Sequence, residues 1–233
     1  KTVSVAEIVE IARSRTDRGE VLVDVAQDNA VEQGVADELR SLGIPVIGPN
    51  REAGRVEWDK GWFRDFGKRN GLPQPKYERF NDVEAGVNFL NQQPEDAAWY
   101  VKASGLAEGK GALSARDRSE ALRRIEDLTK FKDAGKEYVI EQWLKNDDGS
   151  LGEEFSFFVG TDGSDQFVYL GASQDHKQVF DNDEGDMTGG MGCVATPLIM
   201  TEDLRKRVER EIIRPTIDGF NQEGINYQGR RDM

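Results

Sequence analysis

Apolar positions along this chain change period several times, and each change marks an element. Ser4 with Glu7 forms a capping box, and Val5, Ile8 and Ala12 repeat on one face of the helix that follows. Val21-Leu22-Val23-Asp24-Val25 is a nearly continuous apolar run, the kind buried on both faces of a parallel sheet. A second helix is expected around Gln33–Leu42, with Gly43 ending it, before the short strand Ile44-Pro45-Val46-Ile47. Helix and strand alternating through short connections predict a doubly wound α/β unit over residues 1–50. Such units usually open on a strand, so the N-terminus reads as cut.

After residue 50 the pattern shifts. Trp58, Trp62, Phe63 and Phe66 line one face of a helix expected over Glu57–Asn70, and Leu72-Pro73-Gln74-Pro75 makes a short, stiff linker. Tyr77–Phe80, a helix near Asp82–Leu90, the strand beginning at Ala98 and the strand Tyr138–Gln142 compose a compact α+β unit. Inside it, the glycine-rich stretch Val101–Leu113 (VKASGLAEGKGAL) reads as a strand-to-helix connection. Its helix opens on the capping box Asp117/Glu120 and carries Ala121, Leu122, Ile125, Leu128 and Phe131 at helical spacing. Phe155–Val159 and Phe167–Ala172 are expected strands, and a long helix runs from about Glu202 to Phe220, kinked at Pro215.

Charge and rare residues narrow the partners. With 31 basic against 44 acidic residues the net charge is −13, which argues against nucleic acid or an anionic membrane as a general partner. No apolar run approaches a membrane span, and the first residues carry no signal-peptide pattern. Cys193 is the only cysteine, which excludes an internal disulfide and suits a reducing cytoplasm, and His176 is the only histidine, which excludes a multi-histidine metal site.

The glycine-rich stretch has two readings: a flexible loop with solvated lysines, or a phosphate cradle in which glycines let backbone N–H groups approach an anion. It is not a Walker A loop, because three residues separate Gly105 from Gly109 and Gly111 follows Lys110; nor is G-x-G-x-x-G present. The acidic run Asp181, Asp183, Glu184 and Asp186 fails the EF-hand test, since Gly192 occupies the twelfth position from Asp181. It reads as a solvated loop with one or two acids turned to a substrate amine. Thr188-Gly189-Gly190-Met191-Gly192 offers backbone N–H groups to a carboxylate or phosphate.

Several rare strings stand in one order: GVADELRSLGIPVIGPN at 34–50, VEWDKGWFRDFGKRNGLP at 56–73, WYVKASGLAEGKGAL at 99–113, VIEQWL at 139–144, GEEFSFF at 152–158 and SQDHKQVFDNDEGDMTGGMG at 173–192. Together they resemble the phosphoribosylamine–glycine ligase family of the ATP-grasp superfamily. The resemblance implies an ATP-grasp fold, α/β and α+β, preceded by the remnant of a doubly wound α/β domain at 1–50. Residues 51–71 and 143–233 would form the central domain and 72–142 the small lid. It implies an ATP-dependent ligase of purine synthesis, cytoplasmic, using magnesium. Glycine would be activated as an acyl phosphate and captured by 5-phosphoribosylamine.

By the same resemblance Lys60 and Lys102 reach the phosphates, and Ser104–Gly111, with Gly105, Gly109, Lys110 and Gly111, closes over them. Glu141, Gln142, Trp143 and Leu144 meet the adenine, and Glu154 accepts the ribose hydroxyls. His176 and Lys177 are the catalytic-site positioning groups. Gln174, Asp175, Asp181, Asp183 and Thr188–Gly192 (Thr188, Gly189, Gly190, Met191, Gly192) form the substrate side. Asp186-Met187 departs from the family's usual Pro-Asn, which keeps open a sister ligase with another carboxylate and amine, or a nucleotide-binding module without chemistry. The family's opening phosphate loop and its magnesium-binding glutamate and asparagine have no counterpart here, so no metal ligand is assigned. A second chain supplying the missing ends is the remaining candidate partner.

Overall fold

The computed structural model describes residues 4–16, 19, 21–107, 110–146, 152–181 and 184–232. The chain divides into two compact units, one of Lys1–Trp58, Phe157–Gly171 and Arg207–Met233, the other of Asp59–Ser156 and Ala172–Lys206.

In the first unit, α1 (Val5–Thr16) starts on the expected capping box: Ser4 Oγ accepts the Glu7 N–H at 3.2 Å, and Glu7 accepts the Ser4 N–H at 2.9 Å. β1 (Val23–Asp24) and β2 (Val46–Ile47) pair in parallel through Val23↔Val46. The expected strands at 21–25 and 44–47 each shrink to two residues. The expected second helix splits into α2 (Asp28–Glu32) and α3 (Val35–Ser41), because Gly34 between them sits at φ 78°. Val9, Ala12, Val31, Val35, Leu39 and Ile44 form the core beneath them. Further along the chain lie α4 (Arg55–Trp58), β7 (Ser156–Thr161), α9 (Arg214–Gln222) and β10 (Gly229–Asp232), and β10 pairs antiparallel with β7. The helix expected over 202–220 forms as α8 (Glu202–Val208), a π-helical turn at Glu209–Ile213 and α9. The wide turn falls just before Pro215, which has no N–H to give to a regular α-helical ladder.

The second unit is built on a four-stranded antiparallel sheet of order β3–β6–β4–β5, with β3 at Tyr77–Phe80, β6 at Tyr138–Gln142, β4 at Trp99–Ala103 and β5 at Ala112–Ala115. Two helices, α6 (Val83–Asn91) and α7 (Arg118–Asp127), bury Leu90, Ala121 and Ile125 against Trp99, Val101, Tyr138 and Ile140. β4 alternates strictly: Trp99, Val101 and Ala103 are buried, while Tyr100 and Lys102 lie on the other face. Two expectations are corrected here. The glycine-rich stretch joins two strands of a hairpin, β4 and β5, before the chain reaches α7. The helix expected over 57–70 is interrupted at Asp59, whose non-helical backbone (φ −124°, ψ 87°) caps a new helix, α5 (Lys60–Arg69), by accepting the Trp62 N–H at 3.0 Å.

Further along the chain, β8 (Val168–Phe180) and β9 (Glu184–Ala195) form a long hairpin. Its ladder runs from Ser173↔Ala195 to His176↔Gly192 and resumes at Gln178↔Met187. Lys177 alone therefore stands opposite Thr188–Met191, a bulge with Gly190 at φ 121°. Glu184 and Asp186, read as parts of a solvated loop, belong to β9; Asp183 lies outside the described residues.

Candidate functional site

Lys102 is the centre of the best-formed polar site. Its ammonium pairs with Glu141, which projects from the neighbouring strand, and lies 5.0 Å from the centroid of the Tyr100 ring. The second oxygen of Glu141 accepts from Arg64 Nε of α5 at 2.7 Å. Glu141 is only 5% exposed. Burial alone would raise its carboxyl; Lys102 and Arg64 outweigh that and hold it below the ordinary glutamate value. Tyr100 also meets Trp143 edge-on, ring centroids 5.0 Å apart. The Tyr100 hydroxyl is pushed up to about 12, first by burial and then by the carboxylates of Glu154 and Glu141. Trp143, Glu154, Glu141 and Lys102 therefore gather around one tyrosine.

The N-terminus of α5 is fastened to the end of β4 by Ser104. The buried Ser104 hydroxyl accepts the Gly61 N–H at 2.8 Å and donates to Asp59 Oδ1 at 3.0 Å, and its carbonyl accepts the Lys60 N–H at 2.9 Å. This brings the start of the Lys60 helix to the strand that bears Lys102. Gly61 is needed for the approach, since a Cβ there would stand 2.7 Å from Arg79 Nε and 2.9 Å from Ser104 Oγ. Gly105 packs against the turn at Ala134, where a Cβ would fall 2.9 Å from Ala134 Cα. Gly111 N–C backbone closes the hairpin, its carbonyl accepting the Ala103 N–H at 2.9 Å, and Lys110 is exposed beside it. Gly109 lies outside the described residues. Gln142 and Leu144 are exposed at the end of β6.

Glu154 shares a cleft of about 270 Å³ with Glu153, Phe155, Ser156, Asp175 and Lys177. Glu153 accepts a hydrogen bond from Gln174, and Lys177 lies 3.8 Å from Asp175. Strand alternation sends His176 to the opposite side from Lys177, where it is exposed. In the bulge, Thr188 Oγ1 accepts the Gly190 N–H at 3.0 Å, Met191 is exposed, and Gly192 pairs with His176. Asp181 is exposed at the end of β8.

Sequence reasoning missed two members of the site, Arg64 and Tyr100. Each carried a signal: Arg64 follows Lys60 by four residues on one helix face, and Tyr100 precedes Lys102 by two on one strand face. Two cations paired with one carboxylate leave those three side chains with one positive charge in sum, a setting that fits an anion such as a nucleotide phosphate. Among the described residues, no three carboxylate, histidine or cysteine side chains converge as a metal ion would require. No helix among the described residues is long and apolar enough to cross a membrane.

Residues 58–230 match the family model described as phosphoribosylglycinamide synthetase, ATP-grasp (A) domain. A phosphoribosylamine–glycine ligase of Caulobacter vibrioides is 39% identical over 213 residues, covering 91% of this chain and 48% of that protein. The trifunctional purine biosynthetic protein adenosine-3 of Drosophila melanogaster is 34% identical over 232 residues, 98% of this chain and 17% of that protein. Thus the chain spans about half the length of the single-function relative. Among solved structures, a phosphoribosylamine–glycine ligase from Thermotoga maritima aligns with TM-score 0.73 at 24% identity, covering 94% of this chain and 52% of that one. The biotin carboxylase domain of Hydrogenobacter thermophilus 2-oxoglutarate carboxylase, solved with MgADP, aligns with TM-score 0.71 at 19% identity over 98% of this chain and 47% of that one. These two likenesses speak to the fold.

Proposed function

The chain belongs to the phosphoribosylglycinamide synthetase ATP-grasp (A) domain family, and from that premise we propose that it binds the ATP of a ligase joining glycine to 5-phosphoribosylamine. The products are glycinamide ribonucleotide, ADP and phosphate. One observation carries the nucleotide assignment: the Arg64–Glu141–Lys102 cluster, positively charged in sum, on the strand that runs into the glycine-rich hairpin turn.

In this reading Lys102 and Lys60 neutralise the phosphates, and the glycine-rich turn closes over them; the Gly105 N–H itself is spent on the Ala134 carbonyl at 3.1 Å. Trp143 and Leu144 cover one face of the base, and Glu154 accepts the ribose hydroxyls. The cleft of Asp175 and Lys177 with the Thr188–Met191 bulge is the side for the carboxylate and amine substrates; Lys177 positions them, while His176, expected to share that task, faces away from the cleft. ATP brings the phosphoryl group. The chain's own contribution is orientation and charge neutralisation, which suits a site whose only imidazole is exposed. Magnesium serves ATP in such ligases generally, but the described carboxylates do not converge on a metal site, so no residue here is assigned to it.

The test is ADP binding to the purified chain, followed by ADP release with ATP, magnesium, glycine and phosphoribosylamine. Binding with release that needs both substrates supports the proposal. Release that needs a different amino acid moves the chain to a sister ligase, as Asp186-Met187 would favour, and failure to bind ADP removes the nucleotide assignment altogether.

A further inference from the structure

Beyond its share of the cluster's charge Arg64 is given no contact with the ligand, yet it holds one of the two oxygens of a buried carboxylate. Lys102 holds the other. One cation would neutralise Glu141; two leave a positive charge to spare, and the two cationic side chains are themselves only 20% and 22% exposed. The titratable groups facing Glu141 are Lys102 and Tyr100 from β4, Arg64 from α5 and Tyr77, its ladder partner in β3, whose hydroxyl donates to Asp65.

The two cations differ in freedom. Arg64 sits within α5, where its carbonyl accepts from Gln74 Nε2 at 3.0 Å, and a guanidinium is a planar, preorganised fork. Lys102 carries a point charge on a rotatable stem, close to the hairpin turn. If Lys102 left a carboxylate that had no other partner, a buried uncompensated charge would remain, and that charge would pull the lysine back.

Resting on the nucleotide reading of this site, we propose that Arg64 is a positioning residue: it keeps Glu141 neutralised, so that Lys102 can transfer from that carboxylate to a nucleotide phosphate. The tyrosine ring beneath Lys102 offers the ammonium a second resting place along the way.

The inference concerns phosphate, so its readout is the ratio of adenosine Kd to ADP Kd, measured by calorimetry on the 233-residue chain with magnesium. In Arg64→Gln the ratio should fall by about tenfold or more, with adenosine affinity held within about threefold, because only the phosphate end loses its lysine. Arg64→Lys should restore most of the ratio. In a Glu141→Gln background no carboxylate recaptures Lys102, so adding Arg64→Gln should leave the ratio unchanged.

An unchanged ratio in Arg64→Gln, or equal losses for ADP and adenosine, overturns the proposal. So does a lower ratio in the double variant than in Glu141→Gln alone, a comparison that also decides the matter if Arg64→Gln does not fold. Wild-type chain that binds neither ligand removes the nucleotide reading and the inference with it. Wild-type binding with an Arg64-independent ratio removes the inference only.

Discussion

Replacing Ser104 by alanine separates two roles for one hydroxyl. The resemblance places Ser104 among the nucleotide contacts, whereas its hydroxyl is spent within the fold, accepting from Gly61 N–H at 2.8 Å and donating to Asp59 at 3.0 Å. Gly61 is in the first turn of α5, where N–H groups have no intrahelical acceptor. Alanine would leave that buried donor unpaired, while Asp59 would keep the Trp62 N–H. An orphaned donor together with a lost hydrogen bond amounts to about 2–3 kcal/mol. At about 2–4 °C per kcal/mol for a chain of this size, the melting temperature should drop by roughly 4–12 °C. Thermal unfolding followed by circular dichroism measures the drop, and calorimetry with ADP measures affinity below the transition. Affinity should stay within about threefold of wild type, since the hydroxyl is turned into the α5 junction. An unchanged melting temperature with a large loss of ADP binding would refute this reasoning and return the hydroxyl to the ligand.

Other substitutions test the remaining contacts. Glu154→Ala should weaken ADP binding by about 1–3 kcal/mol, because two ribose hydroxyls lose their acceptor, whereas Glu153→Ala should lose only the exposed contact to Gln174; a titration giving the reverse order exchanges the two roles. The Glu141 carboxyl titrates below its ordinary value in the folded chain, so its stabilisation is complete above that ordinary value and disappears as pH falls through the depressed one. The stability gap between wild type and Glu141→Gln in urea should therefore narrow between pH 6 and pH 3, and a constant gap would contradict the pairing. Gly86→Ala would set a Cβ 2.0 Å from the Tyr138 hydroxyl, which donates to the Asp82 carbonyl; it should destabilise by about 1–3 kcal/mol, with Tyr138→Phe in the same chain recovering part of the loss.

What could be read in advance depended on how local the cause was. The capping boxes at Ser4 and Asp117 need only residues three apart; the first forms in full, and the second forms its Asp117 cap, which accepts the Glu120 N–H at 2.7 Å, while the Glu120 carboxylate reaches one residue further back to the Arg116 N–H at 2.8 Å. β4 was legible because an aromatic, β-branched run precedes Lys102. β5 was not, since Ala112-Leu113-Ser114-Ala115 has little strand preference and is held in place by the ladder to β4. Asp59 hid inside an aromatic helical face, where the period outweighed the N-cap signal. Lys102 could be placed on a strand, but its carboxylate partner Glu141 lies 39 residues further along the chain, and Arg64, the second cation on that carboxylate, comes from a helix 38 residues before Lys102; no spacing rule reaches that far. The bulge at Thr188–Met191 likewise depends on what β8 lays opposite it.

The strict alternation along β4 has a consequence for how this segment can change length. Odd-numbered positions from Trp99 to Ala103 supply core, and even-numbered ones supply Tyr100 and Lys102 to the other face. Inserting or deleting one residue inside the strand would exchange the two sets, sending an ammonium into the apolar layer and a valine to the surface. Two failures would then come from one event, loss of core and loss of the lysine. Natural or engineered length variation should therefore gather outside the strand, in the Gln92–Ala97 connection before it or the glycine-rich turn after it, and in the strand itself only changes of two residues keep the parity.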